Sequence, residues 1–238
     1  MFKYIECLLG MMHYSANYDV NNTIILSGVA RGGTTWVAEM INKSNKFRYM
    51  FEPLHRKHVS LFNAYKTNQF ISPYSTSQVH AKNIYTIISG NIRNPWIDRF
   101  NKKIFYDKIL IKEVRMNLML GYIRKYYPGI KIILLLRNPF AVASSRMKIG
   151  WRGFLNAFCN QKELYDSYLY PYMSIISKCE TELEKIICMW CIQNIVPIIQ
   201  LKHDSNTYIC YYEQFYLEPQ HEIKKLMQWL NTDIQYND

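Results

Sequence analysis

Short apolar runs alternate with longer amphipathic stretches along this chain. Residues 23–26, 47–51, 109–111, 130–136 and 208–211 have the length and β-branched content of strands. The fourth is almost entirely isoleucine and leucine, the composition of a strand covered on both faces. Helix signals fall between these runs. Residues 34–42 follow the first. Asn138 and Pro139 follow the fourth, in the order of an N-cap and a first helical position. Thr181 and Glu184 form a capping box, and Leu183, Ile186, Ile187, Trp190 and Cys191 then repeat at the helical period. Pro197 is expected to kink or end that helix. Pro219 opens a last helix with Ile223, Leu226, Met227 and Leu230 on its buried face. The alternation predicts an α/β fold, a mostly parallel sheet flanked by helices.

The segment from about residue 55 to 103 breaks this rhythm. It is rich in Ser, Asn, Thr and aromatics, has weak periodicity, and reads as an irregular insertion over the functional face. No boundary into a second domain is evident. The 238 residues are expected to form one domain. Phe2, Ile5, Leu8, Leu9 and Met12 suit one face of a short N-terminal helix. Glu6 interrupts that apolar stretch, which makes it a poor signal peptide.

Composition adds little until charge is considered. A hydrophobic fraction of 49% with 20% charged residues is that of a globular protein. The apolar run at residues 132–136, like every other in the chain, is far too short to span a membrane. The net charge of +11 points to an anionic partner. It is dispersed, with no dense basic run and no zinc-finger spacing, which argues against nucleic acid. Cys188 and Cys191 form a C-x-x-C without a second ligand pair, so they read as small apolar residues on a helix face rather than metal ligands. Nothing indicates a secreted disulfide framework, and the cytoplasm is the default expectation.

The chemistry concentrates in residues 24–37, IILSGVARGGTTWV. A buried strand runs into a glycine-bearing turn and then a helix start. Backbone N–H groups converge there and the helix dipole adds positive charge, which makes an anion cradle. The spacing nearly matches a phosphate-binding P-loop, with Gly28 and Gly33 in place. Thr34 stands where the lysine belongs, and the cation is Arg31. Charged groups also follow the other strands: Glu52 after the second, Lys112, Glu113 and Arg115 at the third, Arg137 after the fourth. Ligands of open α/β sheets bind at such strand ends. The most hydrophobic strand ends in Arg137, not in the aspartate that a Mg²⁺-nucleotide enzyme needs, so the rim favours an anion handled without metal.

This combination resembles the sulfotransferase family that uses 3′-phosphoadenylyl sulfate. Its donor loop is matched by Arg31-Gly32-Gly33-Thr34-Thr35-Trp36. Its second motif, an arginine with a serine eight residues on, is matched by Arg137 and Ser145, with Asn138 in place of the usual aspartate. Lys112-Glu113-Val114-Arg115 resembles the carbohydrate-type branch, and Tyr211-Tyr212-Glu213-Gln214 the family's C-terminal element. The resemblance covers about residues 22–232 and fits the carbohydrate-type or bacterial branches, since a further glycine-rich segment of the cytosolic branch is missing. It implies a P-loop-like fold and a set of roles. Gly32 to Trp36 hold the 5′-phosphosulfate. Arg31 stabilises charge on the bridging oxygen. Arg137 and Ser145 bind the 3′-phosphate, and Trp36 stacks on adenine. It implies Glu52 as the base for an acceptor hydroxyl or amine, partly buried with a raised pKa, and His55 as the runner-up. The charge and the basic insertion point to an acidic glycan as acceptor.

Other readings of the same residues remain open. Glu52 could serve as an ion-pair partner of a nearby arginine, Lys112 and Arg115 as partners of Glu113 or Asp107, and Trp36 as core packing. A P-loop nucleotide kinase and a non-catalytic nucleotide-binding module are the alternatives at the level of function.

Overall fold

A computed structural model describes residues 18–106 and 108–231. The N-terminal helix expected over Phe2–Met12, Cys7 and the Asp107 partner lie outside the described residues. Five parallel strands form one sheet: β1 (Thr23–Gly28), β2 (Phe47–Phe51), β3 (Lys108–Glu113), β4 (Lys131–Leu136) and β5 (Thr207–Tyr211). Their order is β2-β3-β1-β4-β5. The flanking helices are α1 (Thr34–Ile41), α2 (Gln78–Ile88), α3 (Leu120–Tyr126), α4 (Pro139–Met147), α5 (Glu182–Leu201), α6 (Tyr212–Leu217) and α7 (Pro219–Trp229). Short helical turns connect α4 to α5. No helix among the described residues is long and apolar enough to cross a membrane.

The strands carry apolar residues on both faces because both faces are covered. Ile25, Ile111, Ile132 and Leu134 point to one core, shared with Ile84, Ile87 and Ile88 of α2 and Leu120 and Ile123 of α3. Ile24, Leu26, Leu110 and Ile133 point to the other, where Val37, Ala38 and Ile41 of α1 meet Ile223, Leu226 and Met227 of α7. A third cluster sits under the turns before α5 and joins Phe158, Leu164 and Leu169 to Met189, Ile192 and Val196.

The local signals act as the sequence indicates. Asn138 accepts bonds from the N–H groups of Phe140 and Ala141. Thr181 and Glu184 complete their capping box. Pro197 does not end α5, which continues to Leu201. Proline removes the N–H that would pair with the carbonyl four residues back. Here that carbonyl, of Gln193, accepts from Asn117 Nδ2 at 2.9 Å instead. The Asn117 oxygen in turn accepts from Ser27 Oγ at 2.6 Å, tying the end of β1 to α5.

The segment from 55 to 103 contains α2, which the sequence reading does not anticipate. Ser77 caps it, and its buried apolar residues come late, at Ile84, Ile87 and Ile88. The rest of the segment screens the edge strand β2. Tyr49 N–H donates to Asn101 Oδ1 at 2.7 Å and Phe51 N–H to the Ile97 carbonyl at 2.9 Å. Arg48, fully buried, reaches Asp98 Oδ1 at 2.8 Å and the carbonyls of Gly90 and Ile92 at 2.6 Å. An otherwise open sheet edge is thereby closed.

Candidate active site

The turn after β1 is shaped by its glycines. Gly33 is the N-cap of α1 with φ of 88°, a conformation that costs other residues a clash between Cβ and backbone. A Cβ there would also stand 2.2 Å from the ring of Tyr212. The opening N–H groups of α1 are left without intrahelical partners by helix geometry, so Thr34, Thr35 and Trp36 present donors to the turn. Arg31 is also left-handed, with φ of 71°. Glu52 is too, with φ of 44°; the remaining described non-glycine residues with positive φ are asparagines. An arginine and a glutamate held in this region cost roughly 1–2 kcal/mol each, and such strain collects at functional sites.

The second motif meets this turn directly. Arg31 Nε donates to Ser145 Oγ at 2.9 Å, and Arg137 Nη1 donates to the Arg31 carbonyl at 2.9 Å. These residues are 114 and 106 positions apart in sequence. Tyr212 completes the group. The Arg137 guanidinium lies 4.3 Å from its ring centroid, and Trp36 meets the ring edge-on at 5.6 Å. Trp36 is half-buried against the core of α1 and α7. Glu213 accepts from the N–H of Asn138 at 2.9 Å, which fixes the start of α4 against α6. Arg137 Nε is buried without a partner, an unused donor at the centre of a cationic rim.

On the other side of β1, the parallel register pairs Phe51 with Lys112 and so sets Glu52 beside the end of β3. Lys112 Nζ lies 2.5 Å from Glu52 Oε1, and Arg115 Nη1 lies 3.0 Å from Oε2. Glu113, fully buried, accepts the N–H groups of Leu54 at 2.6 Å and Val114 at 2.8 Å, and Arg115 Nη1 at 3.4 Å. The raised pKa expected of Glu52 is not what this arrangement gives. Burial pushes its carboxyl up, but Lys112 and Arg115 together outweigh burial and hold it below the ordinary value. The expected ion pair of Glu52 with a nearby arginine is present, as is that of Arg115 with Glu113. Burial lowers Lys112, against the pull of Glu52. It also lowers His55, with Arg115 and His58 adding to the effect, so this imidazole is neutral at pH 7. His55 Nδ1 is buried without a partner.

A cleft of about 800 Å³ opens between these two clusters. Ala30 and Arg146 form its border with the turn, His55 and Arg115 its border with the carboxylate cluster, and Trp151, Arg152 and Phe154 its outer wall. Arg146 is 5% exposed and donates through Nε and Nη2 to the Ala30 carbonyl at 3.2 and 3.1 Å. Sequence reasoning singled out neither Arg146 nor Tyr212 for the site. Arg146 directly follows Ser145, and that adjacency was the available signal. The structure brings together Arg31, Gly32, Gly33, Thr34, Thr35, Trp36, Arg137 and Ser145 around the turn; His55 and Arg115 line the cleft, and Glu52 does not line it but pairs with Arg115. Among the described residues, no group of three or more His, Cys, Asp or Glu side chains is arranged to hold a metal ion. Cys188 and Cys191 lie with Cys179 along an apolar groove on α5.

Comparison with known proteins fits this architecture. The family described as sulfotransferase domain matches residues 21–237. No individually curated protein matches the chain. Among solved structures, the sulfotransferase domain of a Synechococcus olefin synthase superposes with a TM-score of 0.51 at 15% identity, covering 93% of this chain and 77% of that one. A sulfotransferase from Mycobacterium avium gives a TM-score of 0.50 at 10% identity, covering 92% and 66%. A mouse sulfotransferase complexed with PAP gives 0.46 at 16% identity, covering 98% and 65%. The family match spans nearly the whole chain, from before β1 to beyond α7, and the chain belongs to the sulfotransferase family.

Proposed function

We propose that the protein transfers the sulfuryl group of 3′-phosphoadenylyl sulfate to a hydroxyl, or an amine, of a glycan, on the carbohydrate-type or bacterial branch of its family. The observation that carries this reading is the convergence of Arg31, Arg137 and Ser145 on the glycine turn, with contacts of 2.9 Å between segments distant in sequence. The residues present fit such a donor. The start of α1 offers N–H groups to its 5′ end, and the unpartnered Arg137 Nε offers a donor to its 3′-phosphate. When bound, the donor supplies a sulfuryl group activated by attachment to a phosphate. The residues of this chain bind and neutralise. Arg31 and the opening N–H groups of α1 stabilise negative charge on the departing phosphate, where one well-placed donor contributes about 3–4 kcal/mol. Arg137 and Ser145 anchor the 3′ end.

Glu52 is the proton acceptor in this reading. Lys112 and Arg115 take one position on each of its oxygens, and a carboxylate has about four, so it retains the capacity to accept from a hydroxyl. Its lowered pKa keeps it in the accepting form at neutral pH. A second reading assigns the proton to His55, favoured by its neutral ring, its unpartnered Nδ1 and its place in the cleft wall. The chain acts as a single sulfotransferase-like domain over 1–238, its core about 22–232, and the insertion of about 55–103 supplies one wall of the acceptor cleft through His55, Asn63, Thr67 and Asn68.

A transfer assay with radiolabelled donor against glycans, lipids and phenols tests the reading. Sulfation of a glycan that is abolished in Glu52→Gln and retained in His55→Asn supports it. Retained turnover in Glu52→Gln with loss in His55→Asn moves the proton to His55. Labelling of phenols alone removes the glycan.

A further inference from the structure

The cleft wall carries more positive charge than the transfer step uses. His55, Arg56, Lys57, Arg115, Arg146 and Arg152 line it, and no aspartate or glutamate among the described residues does. Arg115 is answered by Glu52 and Glu113. Arg146 is not. It is almost fully buried, its contacts are to the Ala30 carbonyl, and burial, with no carboxylate to oppose it, pushes its guanidinium down to about 10. A buried charge without a counter-charge is unfavourable until an anion supplies one. Beside it stand two aromatic rings, Trp151 at 47% and Phe154 at 53% exposure.

The backbone that carries these rings is held in place. Gly150, with φ of 72°, lies three residues past the end of α4, and the N–H of Trp151 folds back to the Arg146 carbonyl at 3.0 Å. Gly153 N–H donates to Glu182 Oε2 at 2.8 Å, and a Cβ at Gly153 would meet Lys185 Cβ at 2.4 Å, so this loop lies directly on α5. An exposed ring in a cleft lined with cations suits the apolar face of a sugar. Arginine and lysine around it suit carboxylate or sulfate.

We propose that this cleft is an acidic-saccharide subsite, taking an acceptor that already bears carboxylate or sulfate groups, with Trp151 beneath a sugar ring and Arg146, Arg152, Arg56 and Lys57 around its anions. The proposal rests on the sulfotransferase reading of the cleft. A volume of about 800 Å³ suits a short oligosaccharide.

The test is calorimetric titration of the full chain, saturated with 3′,5′-phosphoadenosine, using a tetrasaccharide containing uronic acids and a neutral tetramer of N-acetylglucosamine. Exposed Lys57 and Arg152 can be replaced without disturbing the core. The acidic saccharide should bind at least ~10-fold more tightly than the neutral one, and the Lys57→Ala/Arg152→Ala protein should lose most of that advantage, each charge accounting for a factor of about 2–5. Trp151→Ala should weaken both saccharides. Equal affinity for the two, an advantage unchanged in the double variant, or tighter binding of oligouridylate than of either saccharide would overturn the subsite. Transfer to neutral and acidic saccharides alike overturns the subsite and leaves the sulfotransferase reading standing. Charge-selective binding that the variants abolish, without any transfer to the bound saccharide, shows a saccharide site that does not serve the acceptor and overturns the glycan reading of the proposed function.

Discussion

Asn117 is where three parts of the fold meet, and its removal has a calculable cost. Its side chain joins Ser27 Oγ at 2.6 Å to the Gln193 carbonyl at 2.9 Å, and all three residues are buried. Asn117→Ala leaves a hydroxyl and a carbonyl without partners. Each such loss costs about 1–3 kcal/mol, so the variant should lose roughly 2–6 kcal/mol. Pro197→Ala adds back the helical N–H that Gln193 lacks. In the Asn117→Ala background this added donor should recover about 1 kcal/mol more than in the parent, because only there is the carbonyl unpaired. Urea denaturation of the parent, both single variants and the double variant measures the coupling. For a domain of this size a loss of about 3 kcal/mol corresponds to a fall of roughly 6–12 °C in melting temperature. Effects that add to within about 0.3 kcal/mol, or a loss below about 1 kcal/mol in Asn117→Ala, would refute the argument that Asn117 substitutes for the missing N–H.

Arg48→Met should cost about 3–5 kcal/mol in the same denaturation assay, since it leaves the Asp98 carboxylate buried and unpaired; a loss under about 1 kcal/mol would show that the edge segment does not depend on the pair. Gly33→Ala should weaken 3′,5′-phosphoadenosine by about tenfold or more at a stability cost of roughly 1 kcal/mol, because the new Cβ displaces the Tyr212 ring. Unchanged affinity would mean that the turn tolerates the shift. Glu52→Gln should lower kcat by about 10²–10⁴ while leaving nucleotide affinity intact. Its lowered pKa also contributes stability that is present above the ordinary carboxylate value and lost as pH falls through the folded value, so melting temperature followed into acid should fall less steeply in Glu52→Gln than in the parent.

The strands, the Asn138 cap and the Thr181–Glu184 box were legible because each is a local pattern with a local cause. α2 was not, since its helical face is set by Ile84, Ile87 and Ile88 packing into the core rather than by a repeating signal. Sequence alone makes Pro197 a kink or an end of its helix, because its rescue comes from Asn117, 76 residues from the carbonyl it serves. The two halves of the nucleotide rim were visible as motifs, but the bond from Arg31 to Ser145 needed the β1–β4 pairing to exist. The electrostatics of Glu52 depended on register. Only the pairing of Phe51 with Lys112 sets the carboxylate against the ammonium, and that proximity reverses the direction burial alone would give. The burial of Arg146 is not legible in sequence, where nothing marks a cation as buried without a counter-charge.

The rim built from Arg31, Arg137 and Ser145 is proposed to hold a sulfuryl donor's nucleotide without metal. The most direct measurement is equilibrium titration of the protein with 3′,5′-phosphoadenosine in the presence of a chelator, set beside Mg-ATP and adenosine 5′-phosphosulfate. The account predicts that the bisphosphate binds most tightly without metal. It also predicts that Arg137→Ala weakens the bisphosphate by about 10-fold or more while adenosine 5′-phosphosulfate, lacking the 3′ group, is affected far less. Tight binding of Mg-ATP with none of the bisphosphate would contradict it.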